Sequence, residues 1–375
     1  MKNNRTFLEK LLDGSEVEWK PLDEVANIAN NARKPVKSSL RISGNIPYYG
    51  ANNIQDYVEG YTHDGEFVLI AEDGSASLEN YSIQWAVGKF WANNHVHVVN
   101  GKEKLNNRFL YHYLTNMNFI PFLAGKERAK LTKAKLQQIP IPIPPLSVQT
   151  EIVRILDALT ALTSELTSEL TSELILRRKQ YEYYREKLLS FDSLEQLNMG
   201  GAKKKLIDVA IIGTGSRNTN EAIENGIYPF FVRSQEPKKI NEYEFDETAI
   251  ITAGDGVGVG KVFHYISGKY ALHQRAYRIV VTDKNLLPKF LFHYIRNNFA
   301  HYLKMTSVNS SVTSLRKPMF EKYPVFVPPL EEQHRIVSIL DKFETLTNSI
   351  TEGLPLAIEQ SQKRYEYYRE LLLSF

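Results

Sequence analysis

The chain is written twice. Pro144-Pro145-Leu146-Ser147-Val148-Gln149 returns as Pro328-Pro329-Leu330-Glu331-Glu332-Gln333. Ile152, Val153, Ile155, Leu156 and Asp157 return as Ile336, Val337, Ile339, Leu340 and Asp341, and Tyr181-Glu182-Tyr183-Tyr184-Arg185-Glu186 returns as Tyr365-Glu366-Tyr367-Tyr368-Arg369-Glu370. Every pair is separated by 184 residues, without a gap across almost fifty positions. Upstream the copies agree more loosely but in the same order: Leu69-Ile70-Ala71-Glu72-Asp73-Gly74 resembles Ile251-Thr252-Ala253-Gly254-Asp255-Gly256, and Phe109–Leu114 resembles Phe290–Ile295. Two units of 184 make 368 of the 375 residues. Solenoid repeats run about 20–50 residues, so two large copies predict a tandem of one module instead. A pseudo-twofold object that presents one face twice is the expectation.

Each module divides in two. Its first part mixes short β runs (Glu66–Ile70, His95–Val99, Ala249–Ile251, Arg278–Val281) with helical pieces at Asn107–Asn116 and Pro288–Asn297. Its second part reads as one long helix, about 147–190 and 331–374, after a Pro-rich lead-in that keeps the preceding residues out of the α region. Ser147 is a candidate N-cap, and Glu331 and Glu332 suit the positive end of the helix dipole. Apolar residues recur at helical spacing from 152 to 191, on a helix of about 44 residues that would span roughly 66 Å. The predicted class is α+β: two similar α/β globules in tandem, separated by two long antiparallel coiled-coil helices. Expected boundaries are an N-terminal segment at 1–16, globules at 17–143 and 201–327, and helices at 144–200 and 328–375.

Within the first helix, Thr163-Ser164-Glu165-Leu166 recurs as Thr167–Leu170 and Thr171–Leu174. Four residues advance a helix by one turn plus ~40° and by ~6 Å, so the tetrads behave as an adjustable spacer. A solvated helix that drifted by slippage is the plainer alternative. Leu162, Leu166, Leu170 and Leu174, with Tyr181, Tyr184, Tyr365 and Tyr368, are the expected residues of helix pairing and subunit docking. In the second copy, Gly353 and Pro355 should interrupt the helix.

Composition narrows the chemistry. The chain has no Cys, which removes disulfides, thiolate metal sites, Fe–S clusters and any cysteine nucleophile, including that of C5-cytosine methyltransferases. No apolar run approaches the roughly 18 residues a membrane span needs and no signal-peptide core follows Met1, so cytoplasm is the default. With 46 Lys+Arg against 43 Asp+Glu the net charge is +3, which neither demands nor forbids nucleic acid.

Two variable globules, each followed by a near-identical helix that opens with Pro-Pro-Leu-x-x-Gln and closes with Tyr-Glu-Tyr-Tyr-Arg, together with the short tetrad repeat, resemble the specificity subunits of Type I restriction–modification systems. The resemblance covers essentially the whole chain and is nearest the subgroup with four-residue repeats in the central helix. It implies that the globules are target recognition domains, each reading half of a bipartite, asymmetric site on double-stranded DNA. It further implies that the helices set the spacing and dock two modification (methyltransferase) subunits and the restriction/translocase subunits. S-adenosylmethionine would belong to the modification subunit, ATP and Mg to the restriction subunit, and no cofactor or catalytic activity to this chain.

The residues themselves fit a non-catalytic reader. Asn45-Ile46-Pro47-Tyr48 lacks the Pro-Pro of an amino-methyltransferase loop, and Gly254–Lys261 fails the Walker A pattern at Asp255 and Val262. His95 and His97 share a predicted strand face without a carboxylate set around them, so no metal site is expected. Basic residues cluster at Arg33, Lys34, Lys37 and Arg41, at Lys126, Arg128, Lys130, Lys133 and Lys135, and at Arg233, Arg316 and Lys317. These could contact phosphates, or could be an ordinary solvated surface. Candidate base readers in loops are Asn52, Asn53, Asp73, Ser75, Asn93 and Asn94, and in the second copy Ser234, Gln235, His273, Gln274, Arg275 and Asn309. The rival classes are a coiled-coil scaffold without DNA binding and a free-standing enzyme.

Overall fold

The computed structural model describes residues 6–125, 129–190, 194, 201–306, 314–349 and 351–375. The chain divides into two compact units, 1–169 with 358–375, and 170–357. Each unit therefore holds one globule, the helix start or end that follows it in sequence, and a helical stretch from the other repeat.

In the first unit a short helix α1 (Phe7–Leu12) precedes β1 (Glu18–Pro21), α2 (Leu22–Val25), β2 (Ala26–Ile28), β3 (Ser43–Tyr49), β4 (Ile54–Val58), β5 (His63–Ala71), β6 (Ile83–Ala92), β7 (Val96–Gly101), α3 (Asn107–Asn116), α4 (Lys133–Gln137), β8 (Pro140–Ile143) and the long helix α5 (Leu146–Leu189). Six strands form one sheet in the order β2-β7-β5-β6-β3-β4, with β3 parallel to β6, while β1 and β8 make a separate antiparallel pair. Gly65 and Gly88 face each other across the β5–β6 hairpin with φ of 135° and 74°, values that residues with a Cβ rarely adopt. The curled hairpin brings Phe90 and Ala92 into one cluster with Leu69, Val96 and Val98.

The second unit repeats the plan with β9 (Ala202–Lys205), α6 (Leu206–Val209), β10 (Ala210–Thr214), β11 (Tyr228–Phe231), β12 (Lys238–Ile240), β13 (Phe245–Ala253), β14 (Phe263–Leu272), β15 (Ala276–Val281), α7 (Pro288–Thr306), α8 (Lys317–Glu321), β16 (Pro324–Val327), α9 (Leu330–Asn348) and α10 (Leu354–Leu373), the last running into the first unit. Its sheet order, β10-β15-β13-β14-β11-β12, is that of the first globule strand for strand. The four expected strands and two expected short helices are present, with shifts: β7 begins at Val96, so His95 lies in the preceding turn, and α7 runs on to Thr306. Ser147 is the second residue of α5 rather than its cap, because helical geometry begins at Leu146, directly after Pro145.

Each globule core takes in a helix from the other repeat. In the first unit Leu372 and Leu373 of α10 are buried with Ile152 and Leu156 of α5, with α3 residues Phe109, Leu110 and Leu114, and with Leu8 of α1. Thr160 donates to the Tyr365 hydroxyl at 3.0 Å, so α5 and α10 run antiparallel there. In the second unit Tyr181 and Tyr184 pack on Phe343 at 6.3 and 5.8 Å, Arg178 donates to the Thr347 carbonyl, and Leu189 is buried in one cluster with Ile336 and Leu340. That pair is antiparallel too. The expected break in the second copy is present: α9 ends at Asn348 and α10 starts at Leu354, with Gly353 at φ 89°.

The leucine column does not lie on one seam. Leu162 and Leu166 are exposed (62% and 42%), while Leu170 and Leu174 are half-buried. Thr163, Thr167, Leu170, Leu174, Arg177 and Tyr181 are half-buried or buried and alternate by four and three, with Glu173 and Gln180 half-buried beside them. A packed seam of period 3.5 overlaid on a sequence repeat of period four makes equivalent leucines rotate off the seam, and threonines take two of the places. Two substitutions test this: Leu166→Ser is expected to leave stability within about 0.5 kcal/mol, whereas Leu156→Ala should cost about 2–4 kcal/mol in denaturant unfolding. A comparable loss in both would return Leu166 to the seam.

Candidate nucleic-acid interface

At one end of each sheet, loops from four elements converge. In the first globule they are Asn30–Lys34, Ala51–Asn53, Glu72–Ser77 and the Asn93–His95 turn, joined by the strand-like segment around Lys130. Backbone bonds tie them: Glu72 N donates to the His95 carbonyl (2.8 Å), Leu131 N to the Glu72 carbonyl (2.8 Å), Lys34 N to the Ala92 carbonyl (3.0 Å) and Asn93 N to the Tyr49 carbonyl (3.2 Å). The second globule repeats these bonds with Gly254 N to Arg275 (2.9 Å), Leu315 N to Gly254 (2.7 Å), Arg217 N to Leu272 (3.2 Å) and His273 N to Phe231 (2.9 Å). A Cβ on Gly254 would stand 2.5 Å from the Arg275 carbonyl oxygen, so the close approach there suits glycine. Gly254–Gly260 is thus a loop packed on its own sheet, as expected for a turn at a strand end.

What fills the shared frame differs. In the first globule Glu72, only 16% exposed, accepts from Arg33 (2.7 Å) and pairs with Lys130 (2.9 Å), with His97 Nδ1 at 3.8 Å. Burial alone would raise the Glu72 pKa, but the bonds from Arg33 and Lys130 outweigh it and hold the carboxyl below its ordinary value. Arg33 also donates to the Val96 carbonyl at 2.7 Å. The structure therefore gives Arg33 and Lys130, expected to face phosphates, an internal partner in Glu72, which sequence reasoning had passed over because nothing in its neighbours' order marks a buried acid. Asp73 meets His95 at 2.5 Å. Asn52 is engaged at both ends of its amide, donating to the Gly74 carbonyl and accepting from Ala76 N, both at 2.8 Å. Ser75 donates to the Ser77 carbonyl, and buried Asn93 accepts from His95 N.

The counterpart of Asp73 is Asp255, which pairs with Arg233 (2.7 Å) and Arg275 (3.2 Å). Burial works against ionisation of Asp255, yet the two guanidiniums prevail and keep its pKa low. His273 is buried and accepts from Arg275 N, taking the turn-forming place of Asn93; Gln274 donates to Asn218 and Ser234 to the Glu236 carbonyl. Among the described residues, the side chains of Lys34, Asn53, Asn94, Lys133, Gln235 and Arg316 are exposed and have no internal partner, and Lys317 stands 4.0 Å from Glu321. Arg128 and Asn309 lie outside the described residues.

His95 and His97 do not act together. His97 is fully buried, donating from Nε2 to the Leu131 carbonyl (2.7 Å) and accepting at Nδ1 from Asn30 (2.9 Å), an arrangement that needs the neutral ring. Burial lowers the pKa of His97, and likewise of His112 despite Asp157 beside it. The folded state disfavours the charged rings, so the stability they allow is complete above about pH 6.5 and declines as pH falls toward their depressed folded values. The melting temperature is expected to drop between pH 7.5 and 5.5, and His97→Gln, which does not titrate, to flatten part of that drop. An identical pH slope in the variant would exclude His97 as a contributor. Among the described residues one group, His293, Asp341 and Glu344, has the spacing to hold a cation; Lys289 and Arg296 already pair with its carboxylates, so it is an ion-pair cluster.

Below the loops, the globules are fixed to the helices by the repeated signature residues. Gln149, fully buried, accepts from Asn106 N and donates to the Lys104 and Pro144 carbonyls; Gln333 does the same with Leu287 N and the Asn285 and Pro328 carbonyls. Asp157 accepts from Arg108 (2.9 Å) and His112 (2.7 Å), and Asp341 from His293 (2.8 Å). Arg369 donates to Asn116 (3.1 Å) and Arg185 to Asn297 (3.2 Å), so the Arg of each Tyr-Glu-Tyr-Tyr-Arg grips the globule of the other repeat.

Two heads of one topology, each fixed to long helices and each fitted with its own side chains on a shared loop frame, define a two-headed recognition chain. The family model described as Type I restriction modification DNA specificity domain matches residues 14–175 and again 200–360, once per repeat. The chain belongs to that family: it is a specificity subunit, the non-catalytic component of a type I restriction–modification system. It is 65% identical to a putative type I restriction enzyme specificity subunit of Haemophilus influenzae, with 100% of both chains covered, and 33% identical to the type I restriction enzyme EcoR124I/EcoR124II specificity subunit of Escherichia coli over 99% of this chain and 97% of that one. The fold is similar to the crystal structure of the HsdS subunit from Thermoanaerobacter tengcongensis (TM-score 0.57, 16% identity, 96% of each chain covered). No helix among the described residues is long and apolar enough to cross a membrane.

Proposed function

We propose that the globules at 17–143 and 201–327 each read one half of a bipartite, asymmetric double-stranded DNA site, and that the helices at 144–200 and 328–375 set the spacer between the halves. The observation that carries this reading is the shared loop frame with unequal contents: Asn53, Asn94 and His95 stand where the second globule has Gln235, Gln274 and Arg275. Amides pair well with adenine and arginine with guanine, so unlike contents favour unlike half-sites. The exposed lysines and arginines near the loops suit phosphates. Leu170, Leu174, Tyr181, Tyr184, Tyr365 and Tyr368 serve helix pairing and, where exposed, docking of two modification subunits, with the restriction subunits joining that assembly. S-adenosylmethionine then resides in the modification subunit, and ATP with Mg in the restriction subunit, all in the cytoplasm. The N-terminal segment 1–16 supports the first globule through Leu8.

Adenine methylation mapped in cells carrying this chain and its modification partner tests the reading. Methylated sites are expected to share two different short sequences at one fixed interval. A single contiguous motif, or a perfect palindrome, would count against two unlike readers.

A further inference from the structure

Resting on that reading, we infer that Gln149 with Asp157, and Gln333 with Asp341, are positioning residues: they fix the angle at which each globule leaves its helix, and through that angle the spacer length that the complex accepts. Gln149 holds the residues that open α3, accepting from Asn106 N at 2.9 Å and donating to the Lys104 carbonyl at 3.0 Å. Eight residues later on the same helix, Asp157 holds the body of α3 through Arg108 and His112. Eight residues rise ~12 Å, so α3 is gripped at two separated points along α5 and cannot swivel about either one. The second globule has the same two grips, Gln333 on Asn285 and Leu287 and Asp341 on His293, built from residues the two repeats share.

The geometry of DNA says why such a grip matters. One extra base pair in a spacer moves the far half-site by ~3.4 Å and turns it by about 36° around the axis. A head free to swivel could follow that turn and accept the wrong spacer. A head held at two points must break a grip to do so. Neither grip touches the converging loops, so loosening one should change which spacers are accepted without changing which half-site is read.

The test compares methylation maps, made with the modification partner, for the wild-type chain, Asp157→Ala and Asp157→Asn. In Asp157→Ala, both half-site sequences are expected to persist while the share of methylation at sites one base pair too long or too short rises about tenfold, equivalent to about 1.4 kcal/mol. Asp157→Asn still accepts from Arg108 and His112 but without its charge, and is expected to show a rise of only about two- to threefold. An off-spacer share equal to wild type in an assembled Asp157→Ala complex overturns the inference, as does a changed half-site sequence. Should the Ala variant fail to assemble, the Asn variant decides alone: an off-spacer share equal to wild type is the overturning result. A wild-type map without two spaced half-sites would instead sink the reading of function on which this depends.

Discussion

A chain lacking Thr167–Leu170 is expected to direct methylation to the same two half-sites at a shorter spacing, with methylation at the original spacing reduced at least about 100-fold. Four residues remove ~6 Å and ~40° from a helix, close to the rise of two base pairs. Folding should survive, because the tetrads are identical: Thr171 and Leu174 would move into the half-buried places of Thr167 and Leu170, and neither exposed Leu166 nor the buried Leu156 and Tyr181 changes neighbours in its own turn. The large effect arises because the spacer is discriminated by rotation as well as by length. A methylation map with an unaltered spacer would defeat the ruler role of this helix.

Glu72→Ala should disable one head and spare the other. Glu72 gathers Arg33, Lys130 and the neighbourhood of His97, and so holds three loop segments together. Its removal leaves the Arg33 guanidinium, 17% exposed, without its carboxylate. Breaking a fully buried pair costs about 3–5 kcal/mol; since Lys130 is half in water, about 2–3 kcal/mol is the appropriate figure here. For a globule of this size that lowers the melting temperature by about 10 °C. The second globule has Gly254 at the equivalent place and its own Asp255 pairs, so its transition should not move. Calorimetry is expected to show one early and one unshifted transition, and methylation to fall about 100-fold through loss of the first half-site. A scan in which both transitions coincide with wild type would mean that Glu72 does not hold the loops.

Repetition made much of the architecture legible, because residues kept in register across 184 positions had to serve the same contacts twice: Gln149 and Gln333, Asp157 and Asp341, Arg185 and Arg369 all do. The break at Gly353 and Pro355 was readable for a local reason, since both residues oppose helix whatever surrounds them. Partners of charged residues were not readable. Arg33 and Lys34 are adjacent in sequence, yet one is enclosed by Glu72 and the other faces outward, a difference set by which loop segment lies beside each rather than by composition. The helix seam was legible only in part: the repeat sets a leucine at every fourth residue, while packing follows the 3.5-residue period of two wrapped helices. Asn93 and His273 looked like exposed loop readers because turn geometry, which buries both, depends on the register of the strands they connect.

The burial of Leu372 and Leu373 in the first globule has a consequence for biosynthesis. Those leucines leave the ribosome about 230 residues after β8 has been made. At translation rates of about 5–20 residues per second, the first globule waits tens of seconds with part of its apolar core open, whereas the tyrosine and leucine that complete the second are already waiting for it. A nascent chain of this kind exposes a sticky surface on its first globule until those leucines emerge, and it is that globule which a chaperone would be expected to hold.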